Sequence, residues 1–171
     1  NWPSGYAGGR IIKKDSNLIG KCLVKTKNGY KEKNVDWLSA YSKHHFTDLL
    51  DPKTSDLFIS LVYDQYYKSF KDYFGTTLVG FFTDEPGLYC NFAGHDLNTI
   101  PWSRSFYESF KDLNGYSLKN KEDSLWAGKK PTNIQIRVDY WRTVSYLYQN
   151  NYFKKLQQWC HSREVHFVGH L

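Results

Sequence analysis

The chain has 171 residues, of which 40% are hydrophobic and 23% charged, with 12 glycines and 5 prolines. These proportions fit one ordinary globular domain and exclude collagen-like, low-complexity and intrinsically disordered classes. The formal net charge is +6, and no apolar run approaches the roughly 20 residues that a membrane-spanning helix needs.

Aromatic residues make up 18% of the chain: 6 Trp, 14 Tyr and 11 Phe, with no Met. Tyr and Trp join an apolar ring to a polar handle, which suits a core with a ligand-facing wall. Three widely spaced cysteines, Cys22, Cys90 and Cys160, imply neither a disulfide framework nor a CxxC site and read as small buried hydrophobes. Seven lysines between Lys13 and Lys33 raise the question of nucleic acid. That stretch has few interleaved aromatics and no nucleic-acid-binding motif, so it reads as a solvated loop or hairpin. The start, Asn1-Trp2-Pro3-Ser4-Gly5, lacks an initiator Met and enters turn-forming residues at once, as a piece of a longer polypeptide would. Its compartment is therefore left open.

Residues 1–16 are expected to be loop, broken by Pro3, Gly5, Gly8 and Gly9. Leu18 to Val24 is weakly strand-like, with a turn at Asn28-Gly29. Asp51 can cap a helix opening on Pro52. Leu57, Phe58, Leu61, Val62, Tyr66 and Phe70 recur at helical spacing, and Gly75 supplies a stop. Leu78-Val79-Gly80-Phe81-Phe82 then reads as a strand buried on both faces, as parallel sheets require.

A loop rich in Gly and Asn leads to a helix predicted from about Trp102 to Leu113, ended by Asn114-Gly115. A long helix is predicted over about Gln135 to His161, with Ile136, Tyr140, Val144, Leu147, Phe153 and Leu156 as its apolar stripe. Val165-His166-Phe167-Val168-Gly169 reads as a second buried strand, with His170 at its end. This order of helices and strands is α/β logic with right-handed crossovers. Two parallel strands cannot form a stable sheet alone, so others must lie outside the sequence or in its first third. The expected fold is an incomplete (β/α)8 TIM-barrel fragment of parallel strands and long helices, a fold that usually needs about 250 residues. A small doubly wound sheet is the alternative.

Phe81-Phe82-Thr83-Asp84-Glu85-Pro86 sets two carboxylates where the apolar strand gives out, the edge at which parallel α/β folds gather their active sites. Side chains alternate along a strand, so Asp84 and Glu85 are expected to point apart, one toward the barrel mouth and the other holding the loop. Phe82, Tyr89 and Phe92 are placed to desolvate a carboxyl group and keep it protonated near neutral pH. The competing reading is a turn-capping Asp84 and a solvated Glu85. In Trp2-Pro3-Ser4-Gly5-Tyr6-Ala7-Gly8-Gly9 the glycines permit close backbone approach to a ligand, and Trp2 or Tyr6 can stack on a sugar ring. His44, His45, His95, His161, His166 and His170 match no local zinc spacing. His170 stands out because it ends a strand, and His95 lies in the loop after Asp84-Glu85-Pro86. No GxSxG elbow supports a serine hydrolase.

Trp2 to Gly9, Leu49-Leu50-Asp51-Pro52, Gly80 to Pro86, Trp102 to Gly115, Arg137-x-Asp139-Tyr140-Trp141 and the closing Gly169-His170-Leu171 occur in one order. Together they resemble the catalytic barrel of the α-L-rhamnosidase family of glycoside hydrolases, family 106. The resemblance runs through nearly the whole chain and is weakest between Asp15 and Lys33. It implies that residues 1–171 are part of a single glycosidase barrel with both ends missing. Cleavage would use one carboxylic acid to protonate the departing oxygen and a second carboxylate to activate water. By that resemblance Glu85 is the acid, with Asp84 supporting it. Trp2, Tyr6, Tyr89, His95, Trp102 and His170 are expected around the sugar. The second catalytic carboxylate would belong to a later strand, after Leu171. No cofactor is required, although calcium assists sugar binding in some relatives; its ligands are unknown here. The expected partner is a carbohydrate, not nucleic acid or a membrane. Competing readings are a non-catalytic carbohydrate-binding homologue and a stand-alone α/β structural domain.

Overall fold

The computed structural model describes residues 11–38, 43–88 and 98–170. Trp2, Tyr6, Tyr89, Cys90, Phe92 and His95 therefore lie outside the described residues, as does the whole glycine-rich opening, residues 2–9. Residues 11–14 form a helical turn rather than loop, followed by a 3-10 turn at Ser16–Leu18. Among the described residues, four strands occupy the weakly patterned first third: β1 (Lys21–Thr26), β2 (Gly29–Asn34), β3 (Asp36–Leu38) and β4 (Lys43–His45). The lysine-rich stretch thus forms a hairpin, with Thr26 opposite Gly29. Gly29, at φ +114°, supplies the backbone conformation that L side chains rarely adopt.

Helix α1 (Pro52–Phe58) opens as expected: the Asp51 carboxylate accepts from the Lys53 backbone N–H, and Pro52 takes the first turn. A π-helical turn, Ile59–Tyr63, continues it into α2 (Asp64–Phe70), and Gly75 at φ +72° ends the segment. Next come β5 (Gly80–Asp84), β6 (Thr99–Trp102) and α3 (Phe106–Asn114), the last closed by left-handed Gly115. Trp102 therefore ends a strand instead of starting a helix. The long helix begins earlier than its stripe suggests, at Pro131, because proline suits a first helical position where no N–H is needed. It runs as α4 (Pro131–Tyr148), a π-helical turn at Gln149–Phe153 and α5 (Lys154–His161), and β7 (His166–His170) follows.

The fold is a mixed α/β arrangement with an antiparallel sheet in the order β2-β1-β6, a β3–β4 hairpin and a parallel pair, β5 and β7. The long helix links two cores. Ile136, Tyr140, Val144 and Leu147 pack with Leu23, Trp102, Phe106 and Phe110. Beyond the π turn, Tyr152, Leu156, Trp159 and Cys160 pack with Tyr63, Val165, Phe81 and Phe167. Cys22 and Cys160 are buried thiols, as the composition suggested.

The parallel pair corrects one expectation. Phe81 and Phe167 face the helices, whereas Phe82 and Val168 on the other face are 61% and 52% exposed. These strands are not buried on both faces, because among the described residues β5 and β7 pair only with each other. Such a pair leaves backbone groups unsatisfied at two edges and one face uncovered.

Candidate functional site

The parallel register sets Gly80 opposite His166 and ends with Asp84 opposite His170. It depends on a close approach of the two backbones. A Cβ on Gly169 would lie 2.1 Å from the Thr83 carbonyl oxygen, and one on Gly80 would lie 2.8 Å from that of His166. On the helix-facing side, the Thr83 and Tyr152 hydroxyls share a hydrogen bond of 3.2 Å, tying β5 to the long helix. Alternation along the strands then places Asp84 and His170 on the open face, with Phe82 and Val168.

There the His170 Nε2 lies 3.3 Å from Asp84 Oδ1, and the Phe82 ring meets the imidazole edge-on at a centroid distance of 5.3 Å. Glu85 continues the ladder by one bond, its N–H donating to the His170 carbonyl at 3.1 Å. Its φ of +42° takes the chain out of the strand. This changes the expected directions. Alternation would have sent the Asp84 and Glu85 side chains apart, but the left-handed turn gathers their carboxylates with His170, one donor atom from each lying within 4.8 Å of the others. All three side chains are exposed. The sequence named each residue, but not the Asp84–His170 pairing. Its signal lay in aligning Phe81-Phe82-Thr83-Asp84 with Phe167-Val168-Gly169-His170, two runs ending at the same sheet edge.

Of the expected desolvating aromatics, Phe82 stands beside the cluster, while Tyr89 and Phe92 are outside the described residues. Trp102 is elsewhere. It is 1% exposed, packs against Phe106 and Tyr107 and donates from Nε1 to Glu32 Oε1 at 3.1 Å. Its place is a core side chain, not a sugar-facing wall.

Among the described residues the cluster offers two carboxylates and an imidazole nitrogen, and calcium takes six to eight oxygen ligands.

A second polar feature, not singled out by the sequence, lies between β1, β6 and α1. Asp48 is 3% exposed and borders a small cavity together with Gly20, Lys21, Leu88 and Trp102. Its carboxylate accepts from Ser103 Oγ at 2.7 Å and from the Leu50 N–H at 3.0 Å. Burial outweighs these two bonds and raises its pKa to about 6. The only local sign in the sequence was an aspartate before a helix; its hydrogen-bond partner Ser103 lies 55 residues away.

No protein-family model matches the chain, and no curated protein matches it. A solved rhamnosidase structure from Novosphingobium sp. PP1Y is similar over 79% of this chain, with a TM-score of 0.54 and 15% identity. The match spans 13% of that chain. At this identity the likeness is one of fold alone, a mixed α/β arrangement that contains a parallel strand pair.

Proposed function

We propose that this chain is part of a glycoside hydrolase of the α-L-rhamnosidase type, in which Glu85 is the proton donor. The observation that carries this reading is the gathering of Asp84, Glu85 and His170 at the C-terminal ends of two parallel strands, where barrel enzymes place their catalytic groups. The rest of the barrel would cover the open face of β5 and β7 and exclude water around Glu85. A hydrolytic site needs a second carboxylate about 6.5–9.5 Å away to activate water. Asp84 is not that group in an inverting mechanism, since its carboxylate lies too near Glu85. Asp84 instead holds His170, and the base belongs to another strand of the complete barrel.

The exposure of Glu85 and Phe82 favours a second reading, carbohydrate binding without cleavage. Product analysis separates the two. The polypeptide carrying the complete barrel is incubated with an α-L-rhamnoside, and the free sugar is measured. Sugar release that disappears in Glu85→Gln supports the hydrolase; a glycoside bound and recovered intact supports the binding protein.

A further inference from the structure

We propose that Asp48 and Leu88 form a protonation-operated latch on the loop after β5: Leu88 is seated while Asp48 is neutral and released when Asp48 ionises. The two residues line one small cavity, with room for about one water, walled also by Gly20, Lys21, Pro101 and Trp102. Most of its walls are fixed by backbone bonds. The Gly20 N–H donates to the Phe46 carbonyl, Lys21 pairs with Asn34 and Trp102 across the antiparallel sheet, and the Asp48 N–H donates to the Leu18 carbonyl. Residues 85–88, in contrast, belong to neither helix nor strand, and Gly87 has no Cβ to restrict rotation about it. Leu88 is therefore the wall that yields.

An ionised carboxylate beside an apolar side chain in a closed cavity is poorly solvated. Bonds from Ser103 Oγ and the Leu50 N–H offset part of that cost, and water admitted past Leu88 relieves the rest. The surrounding charged groups are few. Lys21 on β1 borders the cavity and donates from Nζ to Asn34 Oδ1, whereas Asp51 at the α1 cap opposes ionisation. Glu32 on β2 accepts from Trp102 Nε1, and Arg104, beside Ser103, is exposed. Burial dominates, so Asp48 is neutral below about pH 6 and ionised above it. Release acts on Glu85 through strain. Its φ of +42° is uncommon for a residue with a side chain, and seated Leu88 holds the far end of that turn. Without this anchor Glu85 returns to extended backbone, and its carboxylate leaves Asp84 and His170.

That the moving carboxylate is a proton donor rests on the glycosidase reading; the latch itself does not, and its test contains no sugar. The chain, Asp48→Asn and Ser103→Ala are titrated from about pH 4 to 8 and followed by NMR. In the native chain the Leu88 methyl protons should show nuclear Overhauser contacts to the Trp102 ring at low pH and lose them with a midpoint near pH 6. The methyls of Val144 and Leu147, in the core along α4, should keep their contacts throughout. Asp48→Asn should hold Leu88 in place at every pH. Ser103→Ala takes a donor from the carboxylate, so its midpoint should rise by about one pH unit. Leu88 contacts that are absent at low pH, or that persist above about pH 7 in the native chain, would overturn the proposal. So would an equal loss in Asp48→Asn, the outcome if His170 beside Glu85 drove the change, or an unmoved midpoint in Ser103→Ala. Loss of the Val144 and Leu147 contacts together with those of Leu88 would also overturn it, because the whole chain would then be unfolding.

Discussion

Alanine at position 169 is expected to destabilise the protein by about 3 kcal/mol, near or above the top of the roughly 1–3 kcal/mol range of ordinary overpacking. The added methyl would stand 2.1 Å from the Thr83 carbonyl oxygen and 2.6 Å from its methyl group. The nearer atom is backbone, bonded into the β5–β7 ladder, and cannot rotate away. Relief requires separating the strands, which sacrifices ladder hydrogen bonds and shifts Thr83 away from Tyr152. Urea unfolding of the two proteins measures the effect. A change below about 0.5 kcal/mol would show that the strands do not approach so closely. The same substitution should also separate Asp84 from His170 and weaken whatever the cluster binds.

Asparagine at position 48 is expected to act in the opposite direction, stabilising the chain by about 2 kcal/mol at pH 8. Burial holds the Asp48 pKa near 6, against 3.8 for an unperturbed aspartate. The folded state thus binds a proton more tightly than the unfolded state does. The stabilisation from that proton is fully present below about pH 4 and is lost as pH rises through 6. At 1.36 kcal/mol per pH unit, the whole interval corresponds to about 3 kcal/mol. Asparagine imitates the protonated form, keeping an acceptor for the Leu50 N–H and offering a donor to Ser103 Oγ, so it recovers most of this. Lys21 borders the same cavity and Asp51 opposes ionisation from the helix cap; neither reverses the sign. Denaturation midpoints from pH 4 to 8 should show this contribution in the native chain and not in Asp48→Asn. A destabilised Asp48→Asn with an unaltered pH profile would mean that the carboxylate is stabilising as a charge.

The parts of the fold legible in the sequence were those with strong local chemistry. Asp51-Pro52 announced α1, Gly75 and Gly115 announced chain reversals, and the runs around Phe81 and Phe167 announced the parallel pair. The antiparallel sheet was harder to read for physical reasons. In β1, Cys22, Leu23 and Val24 are all buried, so period-two alternation is lost. Strand β6 contains Pro101, which is tolerated because β6 lies at the edge of its sheet. At the site, the identities of Asp84, Glu85 and His170 could be read, but their meeting could not. It depends on a register between residues 86 apart in sequence for the Asp84–His170 pair, and on a left-handed residue that alternation does not foresee.

The most direct measurement of the central claim is the leaving-group dependence of Glu85→Gln in the polypeptide that carries the complete barrel. A general acid contributes about 10²–10⁴-fold, and only where the departing oxygen needs a proton. Hydrolysis of natural glycosides should therefore fall by that factor, while activated aryl glycosides, whose leaving groups depart as stable anions, should be cleaved at close to the native rate. An equal loss with both substrates, or no loss with either, would contradict the assignment of Glu85 as the proton donor.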